Sequence, residues 1–365
     1  ANDDISNIEN VIGTAGDDSL TGDFQDNHLQ GLAGDDYLIG SGGVDILDGG
    51  AGLGDTVDYS DATEDVDINL TTGVVAADGY LSVDTVIGIE NVVGSDQDDT
   101  IVGNTDANEL ESGDGDDSIT GSSGTDTIDG GAGSDTLDYS TLTGVTGVAA
   151  TLNGANPVTV TVGGGDNDVI SNIENLVGSS GDDVLGGDLF NNRFEGLDGD
   201  DSFTASAGQD TFEGGLGSDT LDYSNFFAAG AISVVLQDTL QTTVNVAGSD
   251  NDTIAGIENI IGTAGVDSLT GDANDNTLEG RAGDDTLDGG LGADTIRGGD
   301  GVDMIIASVG ADNTDGGSGQ DTIDFSGLAS GQTIDIELDG ANAVNVTIAS
   351  GTDQTLAAVE NIIAT

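Results

Sequence analysis

One acid recurs every nine residues along most of this chain, and its neighbours repeat with it. Read from Gly13, the sequence runs GTAGDDSLT, GDFQDNHLQ, GLAGDDYLI and GSGGVDILD, with Gly at 13, 22, 31, 40 and 49. The sixth position of the unit carries Asp18, Asp36 and Asp45 in a first group, then Asp99, Asp117, Asp126 and Asp135 in a second. A third group has Asp183, Asp201, Asp210 and Asp219, and a fourth has Asp267, Asp285, Asp294, Asp303, Asp312 and Asp321. A Gly-rich six-residue turn offers main-chain carbonyls, and the carboxylate adds charge. Together they form the donor set of a hard cation with six or more ligands, and Ca2+ bound at multiple turns is the natural candidate. These aspartates are the expected metal residues. The second unit of each group has Asn27, Asn108, Asn192 or Asn276 in the sixth place and no Gly in the fourth, which predicts weaker or ion-free turns. The fifth-position acids Asp17, Asp35, Asp116, Asp200 and Asp284 are expected to face solvent.

Other chemistry finds little support. Histidine occurs once, at His28, in the outward seventh place of a unit. There is no Lys for phosphate binding or a Schiff base, and no Cys for thiol chemistry or a zinc site. No G-x-S-x-G elbow is present. The carboxylates could in principle supply a glycosidase pair, but nearly all are repeat positions, whereas a catalytic pair should break the pattern. The less periodic acids Asp166 and Asp168, and Asp250 and Asp252, recur as D-N-D and read as structural or calcium-linked. No catalytic residue and no organic cofactor is expected, so the chain reads as a non-enzyme.

The turns need elements to hold them. After each turn comes a three-residue segment with one aliphatic or aromatic side chain at the eighth position, such as Leu29, Leu38, Ile119, Phe212 and Leu287. Two nonapeptides make one coil of a parallel solenoid, so strands i and i+18 should stack with their apolar side chains in ladders between two facing sheets. The fold class is therefore all-β, a parallel β-roll or β-solenoid of Gly/Asp-rich nonapeptides with strand-rich connectors. Helical periodicity is absent.

A longer period lies above the nine. The string Ile8-Glu9-Asn10 returns at Ile89-Glu90-Asn91, Ile173-Glu174-Asn175, Ile257-Glu258-Asn259 and Val359-Glu360-Asn361. Each array closes on Asp58-Tyr59-Ser60, Asp138-Tyr139-Ser140, Asp222-Tyr223-Ser224 or Asp324-Phe325-Ser326, whose aromatic rings read as core plugs. The organisation is array 1 over 1–60, connector 61–93, array 2 over 94–140, connector 141–177, array 3 over 178–224, connector 225–261, array 4 over 262–326 with two extra nonapeptides, and connector 327–365. The repeat of IENVIGT near the start as VENIIAT at the end suggests a piece cut from a longer array.

Composition narrows the partners. The chain has 365 residues, 70 acids, three basic residues (Arg193, Arg281 and Arg297) and a net charge of −67. Such a chain repels itself unless cations neutralise it, so folding should be coupled to cation binding. Nucleic acid needs basic patches and is excluded as a partner, and the absence of a long apolar run argues against membrane insertion. The open end of a solenoid is an unpaired sheet edge, so homo-oligomeric or filamentous self-association is expected.

The units GGAGSDTLD at 130–138, GGLGSDTLD at 214–222 and GGLGADTIR at 289–297 fit G-G-x-G-x-D-x-U-x, with U a large aliphatic residue. In this the chain resembles the RTX (repeats-in-toxin, hemolysin-type) calcium-binding family. The resemblance covers the nonapeptide stretches and implies a β-roll with calcium between successive turns. It also implies type I secretion, folding on calcium outside the cell, and an extracellular or bacterial cell-surface location. One departure is ASVGADNTD, where Thr314 replaces the aliphatic residue. The function this implies is a calcium-dependent structural roll of a secreted surface protein, in an S-layer, an extracellular filament or an adhesin spacer. The alternative is a non-catalytic module of an exported enzyme or toxin.

Overall fold

In a computed structural model, residues 8–226, 230–237, 239–246, 251–328, 334–336, 344–348 and 353–363 are described. Residues 1–7 of the first array and parts of the connectors at 225–261 and 327–365 lie outside them. Among the described residues every regular element is a strand. The chain forms a β-roll, divided into units Ala1–Ser180 and Gly181–Thr365.

The nine-residue period translates directly into strands and register. In the first unit, Asn10–Ile12, His28–Ala33 and Ile46–Ala51 stack in parallel, with Val11 beside Leu29 and Leu29 beside Leu47. The alternate nonapeptides build the facing sheet, where Leu20 lies beside Leu38 and Leu38 beside Val57. Partners are thus 18 residues apart, or 19 where the turn 49–55 holds an extra residue. The inward side chains Leu29, Leu38, Leu47 and Val57 are buried because strand alternation turns the middle residue of each three inward.

The second unit repeats this plan. One ladder runs Leu185, Phe203, Leu221, Ile260, Leu278, Ile296, Thr314 and Leu356. Phe194 stacks on Phe212 at 5.5 Å, and Phe203 of the opposite sheet meets Phe212 edge-on at 5.7 Å, so three rings fill the space between the sheets. Thr314 is buried in its ladder, as its position in the period predicts.

Connectors enter the roll as three-stranded inserts. The first runs Val66–Asn69, Val74–Asp78 and Asp84–Ile87; its two hairpin pairings are antiparallel, and its last strand returns to the parallel ladder with Val86 beside Leu47. The second does the same with Val148–Thr151, Val158–Val162 and Asn167–Ser171, and the third with Ile232–Val235, Thr242–Val246 and Asp252–Ala255. On the other sheet the chain steps straight on, placing Thr56 beside Asn91. The coil therefore keeps its shape across each insert.

Candidate metal centre

The sixth-position carboxylates form a hydrogen-bonded ladder along the turns. The main-chain N–H of Asp18 donates to Asp36 Oδ1 at 2.8 Å, and that of Asp36 donates to Asp55 Oδ1 at 2.7 Å. Asp99 donates in this way to Asp117, and Asp117 to Asp135, at 2.7 and 2.9 Å. Asp183, Asp201 and Asp219 form the third run at 2.8 Å per step. Asp267, Asp285, Asp303 and Asp321 form the fourth at 2.8 to 2.9 Å. The alternate turns place Asn27 on Asp45, Asn108 on Asp126, Asn192 on Asp210, and Asn276 on Asp294, which donates to Asp312. One oxygen of each accepting carboxylate is thereby fixed, and the second decides what the turn can do.

That second oxygen falls into two classes. Thr14, Ser95 and Thr263, at the second place of their turns, cap Asp18, Asp99 and Asp267 through main-chain N–H and hydroxyl together. Ser122, Ser206 and Ser308 donate hydroxyls to Asp126, Asp210 and Asp312 at 2.8 to 3.1 Å. Asp183 has Ser179 at the same place. The asparagine turns are also satisfied, with Asn27, Asn108, Asn192 and Asn276 accepting the second residue's N–H at 2.6 to 2.9 Å. These turns are closed.

The remaining turns are open. Asp36, Asp45, Asp55, Asp117, Asp135, Asp201, Asp219, Asp285, Asp294, Asp303 and Asp321 are all buried, and the Oδ2 of each has no hydrogen-bond partner. In every one of these turns the second residue has a left-handed backbone. Leu32, Ser41, Leu197 and Arg281 hold φ of 86°, 65°, 79° and 75°, and Gly50, Gly113, Gly131, Gly215, Gly290, Gly299 and Gly317 hold φ between 86° and 117°. Closed turns lack this feature. A buried carboxylate oxygen without a partner costs free energy, and eleven at equivalent places among the described residues are a design rather than a defect.

The cradle around these oxygens is oxygen-lined. A Cβ on Gly196 would meet both Asp201 Oδ2 and the Gly214 carbonyl of the next coil, and a Cβ on Gly280 would meet Asp285 Oδ2 and the Gly298 carbonyl. Carboxylate and carbonyl oxygens of successive coils thus converge over the first glycine, where a side chain would fill the space. Burial drives Asp135, Asp201, Asp285 and Asp294 up to about 7 and Asp219 up to about 6, despite the main-chain hydrogen bonds that oppose it. Neighbouring carboxylates add to the rise at Asp135, Asp201 and Asp285. No protein cation relieves them, since all three arginines are exposed and Arg193 pairs with Glu195 and Glu213. Among the described residues no three Asp, Glu or His side chains converge into a metal cluster, so an ion here would take carbonyls with its carboxylates. Buried unpaired oxygens, carbonyl walls and uncompensated charge fit a hard divalent cation.

Several participants escaped the sequence reading. Asp55 did so because its turn, GGAGLGD, has seven residues, although the Val57 that follows keeps the apolar spacing. The Glu of the I-E-N string continues the ladder: Asp55, Asp135, Asp219 and Asp321 donate to Glu90, Glu174, Glu258 and Glu360 at 2.9 to 3.1 Å. Asp84, which the sequence did not single out, accepts from Asp45 at 2.8 Å, and Asp168 and Asp252, expected to be structural or calcium-linked, accept from Asp126 and Asp210 at 2.9 and 3.0 Å. Their signal was an Asp two residues before an inward apolar residue, as in Asp84-Thr85-Val86. The core plugs also do more than fill space. The buried hydroxyls of Tyr59, Tyr139 and Tyr223 donate to Oδ2 of Asp84, Asp168 and Asp252 at 3.1, 2.7 and 2.7 Å. In the fourth array the pair becomes Phe325 and Gln354, and Gln354 donates instead to Asp312 Oδ2 at 2.8 Å. The fifth-position acids are exposed as expected, yet they are not idle: Asp17, Asp116, Asp200 and Asp284 accept main-chain N–H groups 18 residues on. His28 is half-buried rather than exposed, in the strand His28–Ala33.

The model of one repeat family matches residues 6–27, 21–53, 84–117, 102–137, 186–221, 253–287, 261–296 and 288–323, together more than half of the chain. No curated protein matches the chain. Among solved structures, the extracellular lipase LipA from Serratia marcescens aligns at 17% identity and a TM-score of 0.20, over 54% of this chain. The chain spans 44% of that lipase's length, and so slight a likeness carries no argument about either protein's activity or fold. The repeat match agrees with the turn geometry and the two facing sheets: the chain belongs to the RTX calcium-binding nonapeptide repeat family and is a calcium-binding β-roll module.

Proposed function

We propose that this chain is a structural β-roll of a secreted bacterial surface protein, and that it folds when calcium fills its open turns outside the cell. The observation that carries the reading is the set of eleven buried, unpartnered carboxylate oxygens among the described residues, each in a turn with a left-handed second residue. Of the expected ligands, Asp36, Asp45, Asp117, Asp135, Asp201, Asp219, Asp285, Asp294, Asp303 and Asp321 offer a free oxygen, and Asp55 joins them. Asp18, Asp99, Asp126, Asp183, Asp210, Asp267 and Asp312 line the neighbouring turns and contribute through the ladder. Rungs in which two open turns are stacked, such as Asp201 over Asp219 or Asp285 over Asp303, are the strongest sites.

A net charge of −67 supports the same reading, because the folded chain needs many divalent cations and the extracellular medium supplies them. Architectural use in an S-layer, filament or adhesin spacer is supported by a fold whose nonapeptide arrays recur along the chain. Self-association belongs to this proposal, and sedimentation of the calcium-loaded chain tests it. Far-UV circular dichroism during a calcium titration of the chelator-stripped protein, with magnesium as control, tests the folding switch. A cooperative, calcium-specific transition to β structure is expected. A spectrum already rich in β structure in chelator at pH 7.5 and unmoved by calcium refutes the reading.

A further inference from the structure

Four of the open turns do not face another nonapeptide. Asp55, Asp135, Asp219 and Asp321 end their runs, and the next coil meets each of them with the turn that carries the I-E-N string. These turns, 88–90, 172–174, 256–258 and 358–360, have three residues between strands, where a nonapeptide turn such as 13–18 has six. Strand register fixes the equivalence. Asp129 lies beside Ser171 and Glu213 beside Ala255, so Asn172 and Gly256 take the place of a turn's first glycine. Glu174 and Glu258 directly precede Asn175–Val177 and Asn259–Ile261, the place of a sixth-position Asp. Glutamate is one methylene longer, which offsets the shorter turn, and its Oε2 accepts the Asp N–H that an Asp Oδ1 accepts elsewhere. In return the Asp135 carbonyl accepts from Glu174 and Asn175 at 3.2 and 2.9 Å, and the Asp219 carbonyl from Glu258 and Asn259 at 3.1 and 2.9 Å.

The first residue of every short turn is left-handed. Gly88, Asn172, Gly256 and Ala358 hold φ of 58°, 53°, 58° and 47°, and for Asn172 and Ala358 this backbone carries a cost. Its carbonyl meets the free carboxylate oxygen. The Asn172 carbonyl and Asp135 Oδ2 both lie within 3.0 Å of the place a Cβ on Gly130 would take. The Gly256 carbonyl and Asp219 Oδ2 do so at Gly214, and the Ala358 carbonyl and Asp321 Oδ2 at Gly316. At Gly49 the Gly88 carbonyl meets the Asp55 carboxyl carbon in the same way. All four aspartates are buried, and their Oδ2 atoms have no partner. The far side of the short turn is different. There the side-chain amides of Asn108 and Asn276 donate to the Glu90 and Glu258 carbonyls at 2.8 and 2.9 Å. An amide donor thus faces the turn on one side, and bare oxygens face it on the other.

We propose that each I-E-N turn is half of a divalent-cation site. In the second array the ion lies between Asp135 Oδ2, the Asn172 carbonyl and the Glu174 carboxylate. Asp55 with Gly88 and Glu90, Asp219 with Gly256 and Glu258, and Asp321 with Ala358 and Glu360 form the equivalent sites. The asparagine amide takes the place of a cation on the far side, so the column of ions stops at this turn. Each such ion ties a connector to the array before it. The proposal rests on the calcium reading for the choice of ion and adds the ligands that the connectors supply.

The experiment counts bound calcium per chain by equilibrium dialysis, at the free calcium that just saturates the wild type. One variant combines Glu90→Gln, Glu174→Gln, Glu258→Gln and Glu360→Gln. Glutamine keeps the length and an oxygen for the Asp N–H but removes the charge. The control combines Glu109→Gln, Glu111→Gln, Glu213→Gln and Glu279→Gln, which lie on strands and remove the same charge. The first variant should bind four fewer ions and the control as many as the wild type. If the fourfold variant does not fold, Glu174→Gln alone decides by the loss of one ion. An unchanged count in the I-E-N variant overturns the proposal, leaving the glutamates as caps of the hydrogen-bond ladder and the calcium reading intact. An equal loss in the control overturns it as well, because net charge alone would then set the count. A wild-type chain that binds no calcium overturns both the proposal and the calcium reading.

Discussion

Stripping calcium should make this protein an acid-stable fold that fails near neutral pH. Asp45, Asp168 and Asp219 sit at about 6, and Asp84, Asp135, Asp201, Asp285 and Asp294 at about 7, against an ordinary 3.8. A carboxyl raised in the folded state holds its proton more tightly folded than unfolded. Its stabilising contribution is therefore complete below about pH 4 and is lost as pH rises through 6 to 7. At pH 5.5 the unfolded chain has ionised these eight groups, while the folded chain keeps most of them neutral, an excess of roughly 5–7 protons after allowing for their mutual coupling. Urea denaturation in chelator, followed by circular dichroism at pH 4.5, 5.5, 6.5 and 7.5, should show the midpoint falling steadily. Adding calcium at pH 5.5 to unbuffered protein in a pH-stat should release several protons per chain, and at pH 8 almost none, because the ion displaces them from the open-turn oxygens of Asp45, Asp135, Asp201, Asp219, Asp285 and Asp294. A chelated protein whose stability rises from pH 4.5 to 7.5, or calcium uptake at pH 5.5 without proton release, would refute the assignment of these oxygens to the ion.

Further substitutions probe other parts of the design. Leu287→Ala empties a fully buried place between Leu269 and Ile305 and should cost about 2–5 kcal/mol in chemical denaturation with calcium present. Gly214→Ala drives a methyl into the Gly256 carbonyl and Asp219 Oδ2, so dialysis should show calcium lost from that rung; Gly16→Ala, with nothing within 4 Å, should change stability by less than about 0.5 kcal/mol. Tyr139→Phe strands the buried Asp168 Oδ2 and should cost about 1–3 kcal/mol, and adding Asp168→Gln, to copy the Phe325 and Gln354 pair, should recover much of the loss.

How far the sequence could be read depended on which atoms carry the information. The nonapeptide period is a statement about side-chain alternation and turn length, and both are local, so strands, register and core ladders were legible from Leu29, Leu47 and their equivalents. The connectors were legible only as short strands. Their return to the ladder is set by the pairing of Val86 with Leu47, 39 residues away, which no local pattern announces. The I-E-N string was visible five times, but its glutamate acts through an oxygen accepting a main-chain N–H of another coil. Its role appears only once Asp55 and Glu90 are stacked.

The division into open and closed turns lies between these extremes, and the second residue of the turn governs it. Serine or threonine there with an ordinary backbone aims a hydroxyl at the carboxylate, as at Ser95 and Thr263. Glycine there takes the left-handed backbone freely and leaves the oxygen bare. Leu32, Leu197 and Arg281 cannot close the turn by hydroxyl, and Ser41 could but does not; all four hold a backbone that costs an L-residue roughly 1–2 kcal/mol. A chain that keeps both this strain and an unpartnered buried carboxylate in the same turn has two uncompensated costs at one place. A single divalent cation bound by the freed oxygen offsets both, which is why the strained non-glycine turns are the most informative places to look for bound calcium.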